Sequence, residues 1–163
     1  MKKIKYLALL SLALGSFASC SQTLSETPPP AATPKMIATY KSALAGDSDS
    51  LVSVGISYWD GSNGFPVNKR SAANAFEIAA KQGDPLGCYL AGMCYLGGQG
   101  RMQSYDKART YLQISYAYGY DKAAESLELL EKTIAQEEAA EAQQRYNAQM
   151  EQARQVNKIM GYM

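Results

Sequence analysis

The sequence predicts an all-α protein: a short helix-turn-helix solenoid of about two repeats, with capping helices and a long C-terminal helix. Three observations carry this expectation. From Lys35 onward, apolar residues recur at the three- and four-residue spacing of a helix face. Glycines and tyrosines return at a fixed interval: Gly46, Gly83 and Gly119 are 37 and 36 apart, and Gly55–Gly92 and Tyr58–Tyr95 are each 37 apart. A period of that length made of two helices is the signature of a stacked repeat. Finally, Asp121 to about Lys158 contains neither Gly nor Pro and is dominated by Ala, Glu and Gln, which favours one continuous helix.

Taken in order, residues 1–20 read as an export signal. Lys2, Lys3 and Lys5 form its positive end, and Leu7 to Leu14 an apolar run too short to span a bilayer. It closes on Phe17-Ala18-Ser19-Cys20, which resembles the lipobox of bacterial lipoproteins, although Phe17 stands where that family prefers Leu. The resemblance implies lipidation of Cys20, a membrane anchor in the bacterial cell envelope and, because Ser21 replaces the retention aspartate of enterobacterial lipoproteins, an outer-membrane position facing the periplasm. The alternative is an ordinary cleaved signal with an incidental Cys20. Three cysteines in an exported chain leave an odd one, which lipidation of Cys20 would explain.

Residues 21–34 are rich in Pro, Ser and Thr without periodicity, and are expected to form a disordered tether. The folded domain is expected over 35–123. Met36, Ile37, Tyr40, Ala43 and Leu44 mark a first helix ended by Gly46. Asp47 caps a second, carrying Leu51, Val54, Gly55, Tyr58 and Trp59. Asp60 to Pro66 is a turn cluster, and Asn68 to Gln82 a third helix with Ala72, Ala75, Phe76, Ala79 and Ala80 on its packed face. Asp84 and Pro85 open a fourth, broken by Gly97, Gly98 and Gly100. A fifth runs from about Ser104 to Gly119. Residues 124–163 continue as the long helix. Leu127, Leu130 and Ile134 are expected to seal the stack, beyond which Ala139, Ala142, Tyr146, Gln149, Ala153, Val156 and Met160 keep a three–four spacing. A weak coiled coil, a solitary solvated helix and a helix frayed past residue 145 all fit that pattern.

The order Ala91-Gly92-Met93-Cys94-Tyr95, a Gly-rich turn, Tyr105-Asp106-Lys107-Ala108, and then an Ala-rich face ending in Gly resembles the Sel-one-like repeat, a relative of the tetratricopeptide repeat. Val54-Gly55-Ile56-Ser57-Tyr58 and Ala79-Ala80-Lys81-Gln82-Gly83-Asp84 extend the likeness over about residues 47–123. The resemblance implies a non-catalytic module that binds a protein or peptide partner along the concave side formed by the first helices. The positions carried over are Val52, Ile56 and Trp59 in one repeat and Tyr89, Met93 and Leu96 in the next. Cysteine-rich members, linked to β-lactam compounds, have a disulfide between positions eight residues apart. Here Cys88 occupies the second position and Ala80 the first, so that staple is absent.

Composition narrows the chemistry. The 16 Lys and Arg nearly balance the 15 Asp and Glu, which gives no case for nucleic acid. Histidine, the commonest metal ligand and general base, is absent, and no metal or cofactor is expected. Cys88 and Cys94 lie about 9 Å apart along one helix, too far for a disulfide, and read as small core residues. Ser104-Tyr105-Asp106-Lys107 satisfies Ser-x-x-Lys, but its companion motifs are missing and a helix cap explains it. Gly98-Gln99-Gly100 lacks the strand and Lys-Ser/Thr of a phosphate loop, and Glu137, Glu138 and Glu141 read as a solvated helix face. A cell-wall enzyme or accessory, or an oligomerising rod built on the last helix, are the alternatives to the binding module.

Overall fold

Side chains that accept a hydrogen bond from their own helix's first turn set where the first five helices begin. The computed structural model describes residues 24–161, so the stretch expected to be an export signal, with Cys20, lies outside the described residues. Helix α1 spans Pro34–Leu44, capped by Thr33. Helix α2, Ser48–Asp60, is capped by Asp47, whose Oδ2 accepts from Ser50 N–H at 2.9 Å. Asn68 caps α3, Lys69–Lys81, at 3.1 Å, and Asp84 caps α4, Pro85–Leu96, at 2.5 Å. Ser104 caps α5, Tyr105–Ala117, at 3.4 Å. Each satisfies an N–H that the first helical turn leaves unpaired. Helix α6, Lys122–Met160, is continuous over 39 residues and is not frayed past residue 145.

The sequence period reappears as a period in bonding. Asp47, Asp84 and Tyr120 each donate a backbone N–H across a glycine to a carbonyl five residues earlier (Ser42, Ala79 and Ser115), at 3.0, 3.1 and 3.1 Å. The intervening Gly46, Gly83 and Gly119 have φ of +96°, +84° and +94°, the left-handed ending that glycine adopts without cost. The other turn repeats as well: Asn68 N–H reaches Tyr58 O at 2.7 Å, and Ser104 N–H reaches Tyr95 O at 3.0 Å.

Consecutive helices from α1 to α5 pack in chain order, and α2 also touches α4. The pairs are held by a bulky residue laid on a glycine. The ring of Phe76 on α3 fills the space a Cβ at Gly55 would take, and Leu112 on α5 lies 2.9 Å from the Cβ position of Gly92. Between repeats, Gln82 lies against Gly46 and Tyr118 against Gly83. Two helix pairs, α2–α3 and α4–α5, are thus the two repeats, with α1 preceding them. The start of α6 belongs to the same compact unit, which runs to Leu127, while residues from Glu128 onward form a second. Within the second unit Leu130 is buried and Ile134 half-buried, and every residue from 135 to 161 is exposed.

The segment expected as a free tether touches the folded domain at a few described positions. Ser25 O accepts from Tyr40 Oη at 2.9 Å, Thr33 N–H donates to Asn63 O at 3.0 Å, and Ala32 is buried. Gly64, at φ +79° in the 3-10 turn Ser62–Gly64, lets Ala31 O approach where a side chain would stand. Beneath it Phe65 joins Tyr40 and Tyr58, at ring separations of 6.0 and 4.7 Å. The first repeat's longer turn therefore closes that end of the stack with aromatic side chains.

Candidate interaction surface

The six expected contact positions lie on α2 and α4, but the structure does not present them equally. Ile56 is 42% exposed, whereas Val52, one turn earlier, is 5% exposed and belongs to the core. Val52 is therefore corrected from surface to core, because α2 is flanked by α1, α3 and α4 at once. Trp59, Tyr89, Met93 and Leu96 are half-buried. Trp59 is fixed on one face by Lys69, whose Nζ sits 3.5 Å from the ring centroid and donates to Trp59 O at 3.0 Å. Such a cation–π contact holds the indole against its own repeat. Tyr89 is covered by Tyr120, at 4.9 Å between rings, and its hydroxyl lies 3.4 Å from Ser126 Oγ on the first turns of α6. Ile56 and Met93 occupy equivalent places 37 residues apart in adjacent helices, with Leu96 one turn beyond Met93.

Two apolar residues missed at the sequence level share the turn edge of the same repeats. Val67 is 63% exposed before α3 and Met102 is 86% exposed before α5. Gly100, at φ +74°, brings the second turn onto the Lys69 carbonyl, placing the two turns side by side. Apolar residues inside Gly- and Ser-rich turns were the available signal.

The ionisable groups of the repeats work as joints. Glu77, 2% exposed, accepts from Arg101 Nε at 2.5 Å, while Arg101 also bonds the side chain of Asn74 and, at 3.0 Å, the carbonyl of Gly100. This ties the second repeat's turn to α3 of the first. Burial, followed by the negative charge of Glu77, pushes the Tyr95 phenol up to about 12. Tyr95 stacks on Tyr111 at 5.7 Å, with Lys107 Nζ 5.0 Å above its ring. Ser104 and Lys107 of the Ser-x-x-Lys match are thus a helix cap and a ring contact. Neither Glu77 nor Arg101 stood out in the sequence, although Glu77 is the one acid in the run Ala72 to Ala80.

Cys88 and Cys94 are buried and free, and the Cys88 thiol points to Ala80 O at 3.7 Å, across the eight-residue step noted above. Burial, helped by the charge of Asp84, pushes the Cys88 thiol up to about 12, and burial does the same for Cys94. Thiols need deprotonation to react. In a C20S chain, Ellman's reagent at mildly alkaline pH is therefore expected to label neither Cys88 nor Cys94 in the native state and both in denaturant. Rapid native labelling would contradict this burial. Among the described residues no group of three or more His, Cys, Asp or Glu is placed to hold a metal, and no helix is long and apolar enough to cross a membrane.

No family model and no curated protein matches the sequence. Among solved structures, the crystal structure of a Sel1 repeat protein from Oxalobacter formigenes is similar, with 24% sequence identity and a TM-score of 0.54. The match covers 55% of this chain and 67% of that one. Glycine-locked helix pairs, a 36–37-residue bonding period and this likeness together show that the chain has the helix-pair fold of a Sel1 repeat protein.

Proposed function

We propose that this chain is a non-catalytic binding module that takes a protein or peptide segment on the α2/α4 face. The observation that carries the reading is the pairing of Ile56 and Met93, equivalent apolar positions on adjacent helices, continued by Leu96. Apolar, Met and aromatic side chains on a rigid helical face are the types that anchor interfaces. Trp59 and Tyr89 stiffen its two ends, since each is already held by a neighbour. The burial of the Glu77–Arg101 pair in a joint favours binding over a catalytic role for the repeats' most prominent charges. In the same proposal Cys20 carries a lipid, and the module acts at the bacterial envelope, facing the periplasm from the outer membrane.

Site-specific photo-crosslinking in intact cells tests this. A crosslinker at Ile56 or Met93 is expected to capture one partner, and one at Gln113, exposed on α5, is expected not to. Ile56→Asp should abolish capture from Met93 while leaving the helical spectrum intact. Capture from Gln113 alone, or none from either face position, would reject the α2/α4 face as the working surface.

A further inference from the structure

From residue 135 to residue 161, α6 is exposed on every side, and its apolar residues are not scattered. Tyr146, Val156 and Met160 are 56, 54 and 68% exposed and lie on one three–four stripe with Ala135, Ala139, Ala142, Gln149 and Ala153. That spacing is the seam of a two-stranded coiled coil, whose natural complement is another helix of the same kind. Met150 and Ile159, 44 and 64% exposed, flank the seam and widen it.

Two features of the helix specify which partner and which direction. The first is charge. Between Glu128 and Gln143, five glutamates accompany one lysine. Between Gln144 and Gly161, Arg145, Arg154 and Lys158 accompany Glu151 alone. The helix is acidic in its first half and basic in its second, so a second copy laid parallel sets like charge on like, and one laid antiparallel sets opposite charges together. Two ion pairs within the helix, Arg145–Glu141 and Arg154–Glu151, are 3.9 Å long and exposed, so they compete only weakly.

The second feature is size. Along the stripe the small residues Ala135, Ala139 and Ala142 come first and the larger Val156 and Met160 last. In a parallel pair alanine meets alanine at one end and methionine meets methionine at the other, giving a seam of uneven width. Reversing one copy sets Ala135 against Met160, Ala139 against Val156, Ala142 against Ala153 and Tyr146 against Gln149. All these pairs are centred on the same point, between Asn147 and Ala148. Large meets small at the two outer levels, Ala135 with Met160 and Ala139 with Val156, which evens the width of the seam toward its ends.

We infer that the 135–160 segment of α6 is a self-association site that pairs antiparallel with the same segment of a second copy of this chain. Pairing this way gives a module with two repeat domains.

Sedimentation equilibrium of the full C20S chain is expected to show mass rising from monomer to dimer between micromolar and millimolar protein. Val156→Asp buries a charge in the seam and is expected to weaken the dimer about tenfold or more with helicity unchanged. Direction is read separately by mild oxidation. Ala142→Cys and Ala153→Cys chains, mixed, should give a covalent mixed dimer, and neither should cross-link alone. Ala142→Cys cross-linking to itself would establish a parallel pair and overturn the inference. A chain monomeric at every concentration, or a dimer indifferent to Val156→Asp, would overturn it equally, leaving the stripe to a different protein's helix.

Discussion

Arg101→Ala is expected to destabilise the repeat domain by about 3–5 kcal/mol, the cost of taking the opposite charge away from a buried carboxylate. Glu77 is 2% exposed and sits within an alanine-rich helix face, so water cannot replace the guanidinium, which is itself only 14% exposed. The same change removes a donor to Asn74 and one to the Gly100 carbonyl, the residue that seats the second turn on the first repeat. The pair is therefore a clasp between repeats, and its loss should be felt first in α4 and α5. Amide exchange in those helices should accelerate before global unfolding. Urea denaturation gives the total, and a cost below about 1 kcal/mol, the value of an exposed pair, would show that the clasp is solvated. The double variant Glu77→Leu with Arg101→Met should recover most of the stability, because removing both charges also removes the desolvation that their attraction offsets.

The contrast between this clasp and the helix caps shows which parts of the molecule were legible in the sequence. Asp47, Asn68, Asp84 and Ser104 each act within three residues of themselves, and Gly46, Gly83 and Gly119 report a backbone angle that only a local signal is needed to read. The repeat followed because those local signals return at one period. Contacts that cross the period were not legible. Glu77 meets Arg101 24 residues away, and Tyr40 meets Ser25 15 residues back, in a stretch whose prolines and serines are those of a linker. Which side chains α2 and α4 expose was not readable from the sequence. Val52 and Ile56 are one turn apart on α2, and what separates buried from exposed is the position of α1, α3 and α4 around that turn. The polarity of α6 in charge and residue size was not drawn from the sequence, although a solvated helix has only its own sequence to display.

Phe76→Ala is expected to cost about 3–5 kcal/mol as well, through a different joint. The ring occupies the space that Gly55 leaves by having no side chain, and a glycine inside a helix costs about 0.5–1 kcal/mol relative to alanine. That cost is offset by the close approach of α2 and α3, so truncating Phe76 forfeits the packing while keeping the glycine. Phe76 also lies 6.4 Å from Trp59, the chain's single tryptophan, so its loss should shift Trp59 emission to the red even in the folded state. Arg101→Ala should leave that emission in place, because its contacts are with Glu77, Asn74, Gly100 and Tyr95 rather than with the indole. Phe76 and Glu77 are neighbours on α3 with separate tasks: one closes the first helix pair on itself, the other fastens it to the next. A repeat protein needs both, since a helix pair that packs well internally still buries too little alone. Substituting both residues therefore tests whether closing and fastening are independent. Additive losses would show two separate joints. A combined loss well below the sum would show that fastening works only on a closed pair, and that the first repeat must be formed before the second can dock on it.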